Sequence, residues 1–276
     1  MSITVKSNSA SSGALVDLNK SSRALSRSFE RISSGLRISR AGDDAAGVGV
    51  AENLRAAHTS AAVANRNITD GQSMIAVAEG AADEVGNILI RMRELAVQSS
   101  SETLEDDERA YVQTEYTQLA EEVDRIANTT EFNGKKLSDG SDTTVAVQVG
   151  INNTADDTID ITLGDLTAAT LTVDTATVDL STSTGASTAL TNIDDAIASV
   201  SSYKADFGAV DNRLNSALNS IESFEQTTAA AESRVKDADF GKETAVLAQN
   251  QILQQAGVSV LSQAKNINQA ALSLLQ

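Results

Sequence analysis

The sequence predicts a mainly α protein: a long, heptad-patterned helical bundle with terminal coiled-coil arms and a small β-hairpin region. Three observations carry that expectation. Apolar residues recur at alternating spacings of three and four over most of the chain. Its 276 residues contain no Pro, where average usage of about 5% gives about 14, so nothing interrupts a long helix. The spacing drops to two only in a stretch between about 140 and 182.

The first segment carries Leu15, Leu18, Ser22, Leu25, Phe29, Ile32 and Leu36, an a/d stripe with one polar interruption. It ends near Gly42, and Asp43 and Asp44 are set to cap the next helix. That helix, about 45–99, repeats more strictly. Leu54, Ala61, Ile68, Ile75, Ala82, Leu89 and Ala96 recur every seven residues. Ala57, Ala64, Gly71, Ala78, Val85 and Met92 fill the companion positions, and small residues there let helices approach closely. A loop, Ser99–Glu102, precedes an acidic helix start at Glu105–Glu108, where carboxylates favour the positive end of the helix dipole. Val112, Tyr116, Leu119, Val123 and Ile126 form the stripe of that helix.

Asn133-Gly134 and Asp139-Gly140 are turn dipeptides. Beyond them Val145, Val147 and Val149, then Ile159, Ile161 and Leu163, alternate with polar residues, and Leu171, Val173, Val178 and Leu180 continue the pattern. This stretch reads as short hairpins, with Thr182–Ser187 as a loop. Helical spacing then returns at Leu190, Ile193, Ile197, Val200, Phe207, Leu214, Leu218 and Ile221, interrupted by Lys204 and Asp211. A last helix begins near Lys242 with Val246, Leu253, Val260, Ala264, Ile267, Ala271 and Leu274 as its stripe.

The chain therefore divides into an N-terminal arm (1–43), a bundle with hairpins at about 140–182 (44–236), and a C-terminal arm (237–276). The bundle can bury its own stripes. Two arm helices alone leave much of theirs wet, and contiguous exposed apolar surface marks an interaction site. Two readings stay open on periodicity alone: a coiled coil complete in itself, or a seam finished by neighbouring copies.

Composition removes several functional classes. There is no Cys, hence no thiolate nucleophile, disulfide or thiolate-metal site, and the single imidazole, His58, cannot build a His-rich one. His58 reads as a boundary residue beside Ala57, and Asp43-Asp44, Asp156-Asp157 and Asp194-Asp195 as capping carboxylates, not an acid/base pair. No catalytic residue, cofactor site or metal site is assigned. Net charge is −17, with +4 in 1–43 (7 cations against 3 carboxylates) and −14 in 99–190 (4 against 18). An acidic middle and scarce aromatics argue against nucleic acid. No apolar run reaches the length of about 18 residues that spans a bilayer, so no membrane insertion is expected. The start, Met1–Lys6, lacks the basic and apolar regions of a cleaved signal peptide.

Local motifs then converge. Ser33-Ser34-Gly35-Leu36-Arg37-Ile38 leads into Gly42-Asp43-Asp44-Ala45-Ala46-Gly47. Arg91-Met92-Arg93-Glu94-Leu95-Ala96-Val97-Gln98 and Glu131-Phe132-Asn133-Gly134-Lys135 follow, and Gln254-Gln255-Ala256 and Leu272-Ser273-Leu274-Leu275 close the chain. In this order they closely resemble bacterial flagellin, in a short form with only the inner and first outer domains. The resemblance spans roughly 1–180 and 190–276, and its departures are small: Ser39-Arg40-Ala41-Gly42 replaces the usual Asn-Ser-Ala-Lys, and the end is Gln276.

The resemblance implies a structural subunit that polymerises into the filament for swimming motility. It implies export, unfolded, through the flagellar type III apparatus to the bacterial surface. Expected partners are copies of the chain, an export chaperone on the C-terminal segment, the filament cap and the hook-junction proteins. The filament seams would comprise Leu15, Leu18, Leu25, Phe29, Ile32, Leu36, Val246, Leu253, Val260, Ile267 and Leu274. A host Toll-like receptor would contact Arg91, Arg93, Glu94, Leu95 and Glu115, and cytosolic sensors the region of Leu272, Leu274 and Leu275. A hook–filament junction protein is the nearest alternative, with looser versions of these motifs. A chemoreceptor-type signalling coiled coil would need membrane spans and no β excursion.

Overall fold

The computed structural model describes residues 9–273, the side chains of Ala10, Lys265 and 267–273 excepted. Five helices, α1 (Ser9–Ser34), α2 (Ala45–Ser99), α3 (Asp106–Thr129), α4 (Ser183–Lys236) and α5 (Phe240–Ser273), carry the fold. Between α3 and α4 lie two antiparallel hairpins. One pairs β1 (Glu131–Phe132) with β2 (Lys135–Lys136), the other β3 (Thr144–Gln148) with β4 (Thr158–Thr162). The chain forms two compact units: Ala57–Gln226, and the chain up to Ala56 together with that from Thr227 onward.

In the unit Ala57–Gln226, every seam position of α2 from Ala61 to Ala96 is buried. Two clusters share that seam. In one, Leu89 and Met92 meet Tyr116 and Val123 of α3 and Ile193 of α4. In the other, Ile68 and Ile75 meet Val147 and Ile161 of the β3–β4 hairpin and Leu214 of α4. Each fully buried Leu or Ile contributes about 1.5–3 kcal/mol. Helices α2 and α4 run antiparallel, with Gly86 near Val200 and Gly71 near Leu214. A Cβ on Gly71 would lie 3.1 Å from Val147, so this glycine admits the hairpin. The two polar interruptions in α4 are satisfied across the pair: Lys204 binds Asp83, and Gln72 donates to Asp211 at 3.4 Å and Asn215 at 2.9 Å.

Two turns follow the sequence closely. Asn133 (φ 52°) and Gly134 (φ 77°) make the two-residue β1–β2 turn, the left-handed pair an Asn-Gly step favours. Gly140 (φ 75°) turns the chain toward β3. The stretch 171–180 differs from the hairpin expectation: it forms turns, not strands. Leu171, Val173, Val178 and Leu180 are buried, so their alternation is a packing pattern. Their backbone is bonded to turns and to α3: Val173 N–H donates to the Ala168 carbonyl, the Val173 carbonyl accepts from the Tyr116 hydroxyl, and Leu180 N–H donates to Gln113. The expected loop Thr182–Ser187 is instead the first turn of α4, because Thr182 caps it, accepting from Gly185 N–H at 3.1 Å.

The other unit holds α1, α5 and the two connections that join them to α2 and α4. Gly35 (φ 74°) ends α1, its N–H donating to the Arg31 carbonyl. The connections are stapled together: Arg37 N–H donates to the Lys236 carbonyl at 2.7 Å and Ala238 N–H to the Gly35 carbonyl at 2.9 Å. Asp43 accepts from the backbones of Arg40 and Ser39, and these bonds hold its carboxyl below the usual range. Asp44 caps α2 through Gly47 N–H at 2.9 Å. A Cβ on Gly47 would collide with Asp44 and Ile38, so the cap requires glycine there.

Candidate functional site

Helices α1 and α5 pack antiparallel. The inner face of α1 comprises Ala14, Leu18, Ser21, Leu25, Ser28 and Ile32, and that of α5 Leu247, Asn250, Gln254, Gly257 and Leu261. Leu18 lies over Gly257, where an added Cβ would sit 3.3 Å from its Cδ1. The Ser21 hydroxyl donates to the Asn250 carbonyl at 3.1 Å, and Arg31 faces Glu243 at 3.8 Å. Small and polar side chains thus occupy much of the pairing face. They allow close approach, but they bury little apolar surface.

Leu18, Leu25 and Ile32 share that face, but several other large apolar side chains point outward. Leu15 is 44% exposed, Phe29 52%, Leu253 50% and Val260 59%, and Val16, Ile252 and Val258 are exposed with them. Among the described residues, the only fully buried apolar side chains of this unit are Ile38 and Ala51. An open groove of about 720 Å³ runs between the helices, floored by Leu18, Ser21 and Gly257 and walled by Leu253 and Val260.

The predicted seam residues thus separate into two sets. Leu18, Leu25 and Ile32 face α5, and Val246 is half-buried. Leu15, Phe29, Leu253 and Val260 stay on the surface. Leu36 is half-buried outside the helix, where it bridges to Asp237. The side chain of Ile267 and all of Leu274 lie outside the described residues. Ser21 and Ser28 lie outside the predicted α1 stripe, because the 3-4 spacing admits a second phase one residue earlier that small residues fill, whereas Asn250 and Gly257 fall in the predicted α5 stripe as its weak points.

In the other unit, Arg91 forks between Glu94 at 2.7 Å and Glu115, whose Oε1 receives Nε at 3.0 Å and Nη2 at 2.7 Å. The bonds to Glu115, then Glu94, raise the pKa of the Arg91 guanidinium. Arg93 pairs with Asp194 at 2.7 Å, which holds that carboxyl below its usual range. All five charged groups are exposed. Leu95 is only 2% exposed and belongs to the core beneath them. The side chain of Leu272 and all of Leu274 and Leu275 lie outside the described residues.

A buried cation, Arg109, did not stand out in the sequence. Its guanidinium donates to the carbonyls of Ser99, Ser101 (3.0 Å) and Leu104 (2.9 Å), closing the C-terminal end of α2. The available signal was its phase: Arg109 stands three residues before Val112, in register with the α3 stripe. His58 lies 3.8 Å from Glu225, each about one-third exposed. Among the described residues no His, Asp and Glu side chains gather at metal-binding distance, and no helix is long and apolar enough to cross a membrane.

These features define a class: a mainly helical chain whose terminal helices pair through a face rich in small side chains and leave several large apolar ones exposed. Models of the bacterial flagellin N-terminal helical region and C-terminal helical region match residues 5–143 and 190–275. The flagellin of Halalkalibacterium halodurans is 42% identical over 95% of this chain and 94% of its own. The flagellar filament 31.3 kDa core protein of Treponema maltophilum is 34% identical over 92% and 93%. The crystal structure of Bacillus cereus flagellin superposes with a TM-score of 0.50 at 32% identity, covering 60% of this chain and 94% of that one. The chain belongs to the bacterial flagellin family.

Proposed function

We propose that the outward apolar faces of α1 and α5 are the assembly surface through which this flagellin polymerises into the extracellular flagellar filament. The supporting observation is the incomplete burial of the arm pair: Ser21, Ser28 and Gly257 share the space between the helices with Leu18, Leu25 and Ile32, while Leu15, Phe29, Leu253 and Val260 stand in water. Covering the rest of four such half-exposed side chains releases on the order of 4 kcal/mol per copy before the cost of association. Non-closing contacts between identical chains propagate a helical polymer. The hook–filament junction reading has no observation that favours it.

The domain division proposed with this function is an inner arm domain (1–43 with 237–276) and an outer bundle domain (44–236). Export unfolded through the type III apparatus, a chaperone on the C-terminal segment, and the cap and hook-junction partners follow from the family. A Cys-free, Pro-free chain suits that route, since threading and refolding then meet no disulfide or prolyl-isomer trap. Recognition by a host Toll-like receptor is proposed on the charged surface of Arg91, Arg93, Glu94 and Glu115. Leu95 would act there by supporting α2 from below.

Seeded growth tests the assembly surface. Purified monomer added to sheared filament fragments of the same protein should elongate them. Phe29→Ser with Leu253→Ser should abolish elongation while leaving the thermal unfolding of Ala57–Gln226 unchanged. Elongation at the wild-type rate by that variant would overturn the assignment.

A further inference from the structure

The charge of this chain is divided between its two units. The unit containing both arms carries 12 Lys and Arg against 9 Asp and Glu, a net +3, and Ala57–Gln226 carries 9 against 29, a net −20. A polymer of a chain with net charge −17 repels itself at every contact that brings two acidic surfaces together. Cations that are not consumed within the chain are therefore the available relief.

One group of cations gathers on α1 and just beyond its end. Lys20, Arg23, Arg27 and Arg40 surround an open hollow of about 520 Å³, with Glu30 as its only carboxylate. Arg40 pairs with Glu30 at 2.6 Å. Lys20 reaches only Asp17, at 3.7 Å with both side chains mostly in water, a pair of little energetic weight. Arg23 donates to the Asn19 carbonyl of its own helix. Neither Arg23 nor Arg27 has an ion-pair partner among the described residues. The neighbouring Arg31 and Arg37, by contrast, are engaged within the unit, with Glu243 and the Val235 carbonyl.

We propose that the face of α1 formed by Lys20, Arg23 and Arg27 is an electrostatic docking surface for a second copy of this chain, receiving its acidic unit. The proposal rests on the filament reading and adds to it a charged contact separate from the apolar one. Charge complementarity singles out this occupant, because the 29 carboxylates in the acidic unit of each copy meet the few cations left unpaired. The densest exposed run, Glu105–Glu108 with Glu102, has one long compensating contact among the described residues, Asp106 to Arg109 Nε at 3.9 Å, while Nη1 and Nη2 of that guanidinium are turned inward to carbonyls.

The test is the critical concentration for seeded growth as a function of NaCl. At about 25 mM salt, where screening is weak, Arg23→Glu with Arg27→Glu should raise that concentration at least ~10-fold over wild type. At about 1 M the gap should shrink to ~2-fold or less, because the repulsion is screened. Arg23→Lys with Arg27→Lys should behave as wild type. A critical concentration for the Glu variant equal to wild type at both salts would overturn the docking surface. So would an equal defect at both salts, which would mark a packing lesson instead of a charge effect. Binding of monomer to phosphatidylglycerol vesicles that depends on Arg23 and Arg27, with filament growth untouched, would reassign the patch to a lipid surface. Failure of the wild-type monomer to elongate seeds at any salt would remove the filament reading itself.

Discussion

Arg109→Ala should be among the most destabilising substitutions of a charged residue in this chain. The side chain is 5% exposed and its guanidinium serves three carbonyls at the junction of α2 and α3. The Ser99 residue is fully buried, so its carbonyl would lose its donor with no water to replace it, at a cost of about 1–3 kcal/mol. Ser101 and Leu104 are half-buried, and partial hydration limits their loss to about 0.5–1 kcal/mol each. The total is about 3 kcal/mol. For a unit of this size each kcal/mol lowers Tm by about 2–4 °C, so the melt should fall by about 10 °C. Arg109→Lys keeps the charge but presents one compact ammonium in place of a planar fork, and should recover about half of that. Thermal unfolding of the monomer by far-UV circular dichroism measures both. A Tm for Arg109→Ala within 2 °C of wild type would show that the carbonyls are satisfied without the guanidinium.

Tyr116→Phe removes a fully buried hydroxyl that donates to the Val173 carbonyl at 2.9 Å, and should cost about 1–2 kcal/mol in a urea titration. Leu95→Ala opens a cavity in the core beneath Arg91 and should cost about 2–5 kcal/mol. Under the proposed receptor recognition, Leu95→Ala should lower Toll-like receptor signalling together with its melting temperature, whereas Arg91→Ala should lower signalling with the melt unchanged. Gly134→Ala places a side chain at φ 77° and should weaken the β1–β2 turn by about 1 kcal/mol. Asp165 should contribute to acid sensitivity. Burial pushes its carboxyl up, but hydrogen bonds from Thr170 and Thr167 outweigh that and hold it below the usual carboxylate value. A depressed folded-state pKa adds stability that is full above the unfolded value and is lost as pH falls through the folded one. Asp165→Asn should accordingly narrow its stability gap to wild type as pH drops from 5 toward 2, read from urea midpoints.

The long helices were legible because their signal repeats. From Ala61 to Ala96 the seam of α2 returns every seven residues, and its predicted span of 45–99 matches Ala45–Ser99. Half of the pairing phase of α1 is legible: Leu18, Leu25 and Ile32 face α5 as their spacing predicts. The companion positions are not, since Leu15, Ser22 and Phe29 outweigh Ala14, Ser21 and Ser28 in hydrophobicity, yet the smaller set lies toward α5. Alternation at 171–180 was read as strand because turns can bury every second side chain as a sheet does. Only long-range bonds, such as Gln113 to Leu180 N–H, distinguish the two. Residues carrying the charged surface, Arg91, Arg93, Glu94 and Glu115, could be named by resemblance. That Leu95 lies under that surface required the packing of α2 against α3.

Hydrogen exchange on monomer and filament tests the central claim most directly. If α1 and α5 are completed only by neighbouring copies, their amides in the monomer should exchange at least ~100-fold faster than those of α2 between Ala61 and Ala96. In the filament they should slow to the range of the α2 core. Equal protection of α1 and α5 in monomer and filament would contradict the claim, and would mean that the arm pair is stable by itself.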